Sequence, residues 1–210
     1  AAGYTRVTGD LKIWRLNVTN LNGLKTLTHV GNRLEIRENY SLTSLEGLEN
    51  VIHIGENLSV VRNPLLKNLV GLKKLSSLHG LSLSQNSQLI SLNGFENTSV
   101  NNLYSLSLWR NEGLEDIKAL KNINLIDNVT IMGELKLIDI EGLNKLTSLE
   151  NLSIIECPLL TNLNELINLS KLNRTLKIQH NENLVNINSL KQLTSIGDIY
   201  ISNNSKLENL

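Results

Sequence analysis

An aliphatic-x-aliphatic triplet returns nine times along the chain: Leu11/Ile13, Leu34/Ile36, Leu58/Val60, Leu81/Leu83, Leu106/Leu108, Val129/Ile131, Leu152/Ile154, Leu176/Ile178 and Ile199/Ile201. Successive copies lie 23, 24, 23, 25, 23, 23, 24 and 23 residues apart, a mean of 23.5. A fixed period of this length belongs to chains that pile one supersecondary unit on the next. Alternation within each triplet, often with a β-branched second member, is a strand signal and sends both aliphatics to one face.

The rest of the unit keeps the same phase. Five residues after the first triplet member stand Asn39, Asn63, Asn86, Asn111, Asn181 and Asn204, with Leu16, Glu134 and Cys157 in the other three copies. Eight residues after it comes a leucine in eight copies, from Leu42 to Leu207. Apolar residues then return every third position, as in Leu66, Leu69, Leu72, Leu75 and Leu78. That spacing suits turns and short 3₁₀ pieces better than a long α-helix. Each unit therefore reads as one short strand, one turn and one compact return.

A single unit buries too little to order itself, so neighbours must stack and cover one another's apolar edges. Strands stacked in one direction make a parallel sheet. The recurring asparagine then carries both donors and acceptors into a column, where it can bond turn groups that would otherwise be buried unpaired. Cys157 falls in that column, and burial as a structural thiol is expected of it.

Composition narrows the function classes. There are 44 Leu and 31 Asn among 210 residues, and 20 basic residues balance 20 acidic ones. No basic field is present to draw in nucleic acid or an anionic membrane. No apolar run nears the roughly 18 residues of a membrane span, and Ala1 to Asp10 lacks the basic and apolar stretches of a signal peptide. One cysteine excludes an internal disulfide framework and leaves the compartment open.

Asn57 to Leu78 (NLSVVRNPLLKNLVGLKKLSSL) and Thr175 to Gly197 (TLKIQHNENLVNINSLKQLTSIG) follow the pattern Leu-x-Ile-x-x-Asn-x-x-Leu-x-x-Leu-x-Gly-Leu-x-x-Leu. In this the chain resembles leucine-rich repeat proteins. The Asn-x-x-Leu spacing, Gly47, Gly71, Gly94 and Gly142 before the return, and the opening Tyr4 to Leu11 are most similar to the receptor L-domain-like repeats of bacterial cell-surface proteins. The resemblance spans residues 1–210 as a single solenoid of about nine repeats, the last incomplete. It implies a right-handed coil with one parallel sheet of about nine short strands and short 3₁₀, helical or irregular returns. It also implies a neighbouring domain or partner chain over an end of the solenoid, and an extracellular or cell-surface setting, with a cytoplasmic scaffold as the alternative.

If the triplets face inward, the residues between and after their members face out. The between column reads Lys12, Glu35, Ser59, Ser82, Ser107, Thr130, Ser153, Lys177 and Tyr200. The following column reads Trp14, Arg37, Val61, Ser84, Trp109, Met132, Ile155, Gln179 and Ser202. Trp109, Met132 and Ile155 are expected as an exposed apolar ridge beside a low strip of Ser82, Ser107 and Thr130, with Arg62 and Arg110 near its edge. An aromatic ridge flanked by arginine has the composition of a recognition hot spot. Cross-strand packing alone would also favour such residues.

Signatures of catalysis are missing. His29, His53, His79 and His180 have no zinc spacing, although His29 and His53 occupy comparable returns of adjacent repeats. There is no phosphate-binding glycine loop, nucleophile elbow or repeated calcium motif, and Glu35 is the one acid in the between column. Nine N-x-S/T matches are read mostly as composition, and the one at Asn39 falls in the column that is expected to be buried. The sequence therefore points to a non-enzymatic binding module without metal or cofactor, recognising a protein or glycan through the open face of its sheet. The alternative is a structural spacer with no ligand of its own.

Overall fold

The computed structural model describes residues 3–209. Twelve strands follow in chain order: β1 (Arg6–Val7), β2 (Leu11–Trp14), β3 (His29–Val30), β4 (Leu34–Arg37), β5 (His53–Ile54), β6 (Asn57–Val61), β7 (Gly80–Ser84), β8 (Asn102–Trp109), β9 (Leu125–Met132), β10 (Ser148–Ile155), β11 (Lys171–Gln179) and β12 (Asp198–Ser202). Nine of them form one parallel sheet in the order β2-β4-β6-β7-β8-β9-β10-β11-β12. Each triplet sits in one of these strands, and repeats pair in register, as Leu106 with Val129 and Leu152 with Val129.

All triplet aliphatics are buried except Leu11, Ile199 and Ile201, which belong to the two end strands; Ile199 is 56% exposed. Their exposure reflects the ends, where a strand has a covering neighbour on one side only; Ile199 and Ile201 still face the same cavity as Leu176 and Leu190. The returns are short 3₁₀ pieces at Asn22–Leu24, Val70–Leu72, Phe95–Asn97, Lys118–Leu120, Asn164–Leu166 and Asn188–Gln192. Gly94 precedes the segment Phe95–Asn97 and Gly47 sits in the matching turn of its repeat, both at φ +106°, where a side chain is strained and a Cβ would strike the backbone of the preceding repeat at Leu69 and Val70 and at Leu21.

A second sheet corrects the expectation of a single one. Strands β1, β3 and β5 form a separate three-stranded parallel sheet, with Arg6 paired to His29 and His29 to His53. In these early repeats Gly31 and Gly55 stand between the two-residue strand and the triplet strand and break the extended run. The repeats of β8 to β11 lack the break. Leu103, Ile126, Leu149 and Leu172 are buried and extend β8 to β11 to eight or nine residues.

The asparagine column is continuous where the sequence supplies it. Asn63 Oδ1 accepts the backbone N–H of Asn39 at 3.1 Å, Asn86 Oδ1 that of Asn63 at 3.0 Å, and Asn111 Oδ1 that of Asn86 at 3.2 Å. Each amide also donates back to the carbonyl of a triplet residue: Asn39 to Ile13, Asn63 to Ile36, Asn86 to Val60, Asn111 to Leu83, Asn181 to Ile154 and Asn204 to Ile178, all within 2.8–3.0 Å. One side chain thus joins the turn of one repeat to the strand of the repeat before it.

Candidate functional site

The turn that carries this column shapes the open face. The residue just before each column position has a left-handed backbone: Arg15, Glu38, Arg62, Gln85, Arg110, Glu156, His180 and Asn203 lie at φ 53–56°, and Gly133 at φ 72°. None is β-branched, as that conformation requires. Their N–H groups extend the sheet by one bond, as from Arg110 to Met132 O at 2.8 Å. Their side chains line up along one edge of the outward face. From this column sequence reasoning singled out Arg62 and Arg110 alone; the long polar residue one place ahead of most column positions was the signal for the rest.

Trp109, Met132 and Ile155 are brought together as adjacent cross-strand partners. Trp109 is 39% exposed, while Met132 and Ile155 are half-buried, so the ridge is lower than a fully exposed one. Arg110 lies over the Trp109 ring, 5.5 Å from its centroid, within cation–π range. Ser82, Ser107 and Thr130 pair across β7, β8 and β9 as a half-buried strip. Ser84, the neighbour of Trp109 on β7, is buried, and its hydroxyl has no protein partner.

Arg62 is not beside this ridge, contrary to expectation. Its Nη1 meets Glu38 Oε1 at 3.3 Å and its Nε donates to Gln85 Oε1 at 2.8 Å. Arg15 and Arg37 converge on the same carboxylate, at 2.6 and 3.0 Å, closer than Arg62. Hydrogen bonding from Arg15 holds Glu38 below the usual carboxylate range against the opposing effect of burial, with Arg37 adding to the lowering.

The two acidic or thiol members of the asparagine column are fully enclosed. Glu134 Oε1 accepts from Asn111 N at 3.1 Å and Asn111 Nδ2 at 3.0 Å, taking the part of an asparagine oxygen. Its Oε2 is buried without a partner, and burial pushes the carboxyl up to about 7 despite the two Asn111 bonds. Burial likewise pushes the Cys157 thiol up to about 12, so it is a poor nucleophile where it sits.

His29 and His53 meet in the small sheet with ring centroids 5.7 Å apart. Thr28 Oγ1 lies 2.8 Å from Thr5 O and 2.8 Å from His29 Nδ1, and so ties the ring to the backbone of the preceding repeat. Burial, Arg6 and His53 hold His29 below its ordinary range. No third His, Cys, Asp or Glu joins them among the described residues. Among those residues no helix is long and apolar enough to cross a membrane. A scan against protein-family models finds no match to the chain, and a search of curated proteins finds none either.

Proposed function

We propose that the chain is a leucine-rich-repeat solenoid, coiled right-handed, of the receptor L-domain-like kind, and that it works as a non-catalytic binding module on or outside a cell. The ligand is a protein or glycan docked on the open face of the nine-stranded sheet. Trp109 carries this reading: a large indole left 39% exposed at mid-sheet, with Arg110 over its ring and two apolar neighbours in line. Such an anchor loses little entropy on binding, and its neighbours exclude water around it. The strip of Ser82, Ser107 and Thr130 supplies hydroxyls beside it.

A screen of glycans and surface proteins against the wild type and a Trp109→Ala/Met132→Ser variant tests the reading. The double change is expected to weaken the binding found by at least about tenfold, or about 1.4 kcal/mol. Both side chains lie on the outward face, so the melting temperature is expected to move little. Undiminished binding by the variant overturns this face as the site, and a wild type that captures nothing favours the spacer.

A further inference from the structure

The geometry points to a separate site for an acidic sugar residue at the first two triplet strands, where guanidinium groups and an indole enclose a small cavity. The cavity is about 220 Å³ and is lined by Trp14, Arg15, Arg37 and Glu38. Trp14 and Arg37 are cross-strand partners on β2 and β4, and Arg15 and Glu38 follow them in the left-handed turn column. Trp14 is 43% exposed.

Three arginines share one carboxylate here. Arg15 Nε lies 2.6 Å from Glu38 Oε2, while Arg37 Nε and Arg62 Nη1 reach Oε1 at 3.0 and 3.3 Å. The Glu38 side chain is only 7% exposed and so acts as a buried clamp, whereas those of Arg15 and Arg37 are 78% and 47% exposed. Each of these two donates to Glu38 through Nε, which leaves its terminal Nη groups without a protein acceptor among the described residues. The clamp therefore fixes two guanidinium planes and leaves an excess of positive charge facing the cavity. Planar forks held in this way suit a carboxylate or sulfate oxygen pair.

The remaining wall selects the body of the ligand. An exposed indole offers an apolar face for the C–H side of a pyranose ring, and 220 Å³ holds about one such ring rather than a stretch of peptide. Lys12 Nζ lies 5.1 Å from the Trp14 centroid and 3.9 Å from Asp10 Oδ2, so it is paired rather than a further free cation. Glu38 is a positioning residue, and Arg15, Arg37 and Trp14 are the contact residues. Trp109 is four strands away, about 20 Å, so this site does not depend on the apolar ridge.

The test uses the Trp109→Phe chain, in which Trp14 is the one remaining indole. Its fluorescence is titrated with methyl glucuronide, glucose 6-sulfate, methyl glucoside, sodium sulfate and a tetra-aspartate peptide. At least one acidic sugar is expected to bind at least tenfold more tightly than the neutral glucoside and than sulfate alone. Which one does so tells a carboxylate ligand from a sulfate ligand. Arg15→Ala and Arg37→Ala are each expected to weaken it tenfold or more while the chain stays folded, with the melting temperature lowered only by the loss of one ion pair to Glu38, and Arg174→Ala leaves binding intact. The proposal is overturned by equal binding of the glucoside, by sulfate or the peptide matching the acidic sugars, by no binding of either acidic sugar up to 10 mM, a concentration about where such single-ring contacts saturate, or by indifference to Arg37→Ala.

Discussion

Replacing Asn86 by alanine is expected to destabilise the fold by about 4 kcal/mol, more than most substitutions outside the apolar core. The Asn86 amide donates to Val60 O and to Asn111 Oδ1, and its Oδ1 accepts the Asn63 N–H, all in a buried site. Alanine leaves the Asn63 donor and the Val60 acceptor without partners, and each buried orphan costs about 1–3 kcal/mol. The loss crosses three repeats, so repacking within one cannot recover it. Asn204→Ala is the control: the residue makes the matching bonds from Asn181 N and to Ile178 O but is half-buried at the end of the column, where water can replace them, and its loss is expected to cost about 1 kcal/mol. Urea unfolding of the two variants beside the wild type measures both, and equal costs would refute a special role for the buried column.

Glu134→Asn is expected to stabilise the chain at pH 8 by about 2 kcal/mol and to change it by less than about 1 kcal/mol at pH 4.5. The acid has an ordinary value of 4.5 and stands at about 7 in the fold, because burial disfavours its charge. Between those values the folded chain keeps a proton that the unfolded chain has lost. The folded state binds more protons, so stability falls as pH rises from about 4.5 to 7 and is level above that. The gap corresponds to about 3 kcal/mol, from which the variant loses about 0.8 kcal/mol for one missing buried methylene.

Column geometry gives the same result. Every asparagine in the column donates to a triplet carbonyl one repeat back, and Oε2 of Glu134 can do so only while it carries a proton. The opposite linkages of Glu38, lowered by its arginines, and His29, lowered by burial, are shared by both chains and cancel in the difference. Stability curves of wild type and variant from pH 4.5 to 8 should therefore diverge, and curves that stay parallel would place no buried proton on Glu134.

The parts of the fold written in many copies were legible. Nine repetitions of the triplet set the strand register, and six of the asparagine set the buried column, because one physical demand recurs at each repeat. Features written once or in pairs were not. The small sheet rests on two-residue strands such as His29–Val30, too short to show alternation. Arg62 was placed near the edge of the Trp109 ridge, whereas the structure gives it to Gln85 and Glu38, contacts visible only when neighbouring repeats are laid side by side. Ser84 belongs to the same outward column as Trp109, yet it is buried beside that large indole on the adjacent strand. The Glu134 proton depends on burial, which the column implied, and on a missing donor, which only the hydrogen-bond pattern revealed.

Carbene footprinting of the chain alone and with a ligand recovered from the screen tests the assignment of the open face most directly. Labelling of Trp109, Met132 and Ile155 is expected to fall severalfold in the complex, while Val70 and Ile167, exposed on the 3₁₀ returns, keep their labelling. Protection of Val70 and Ile167 beside an unprotected Trp109 would contradict the account.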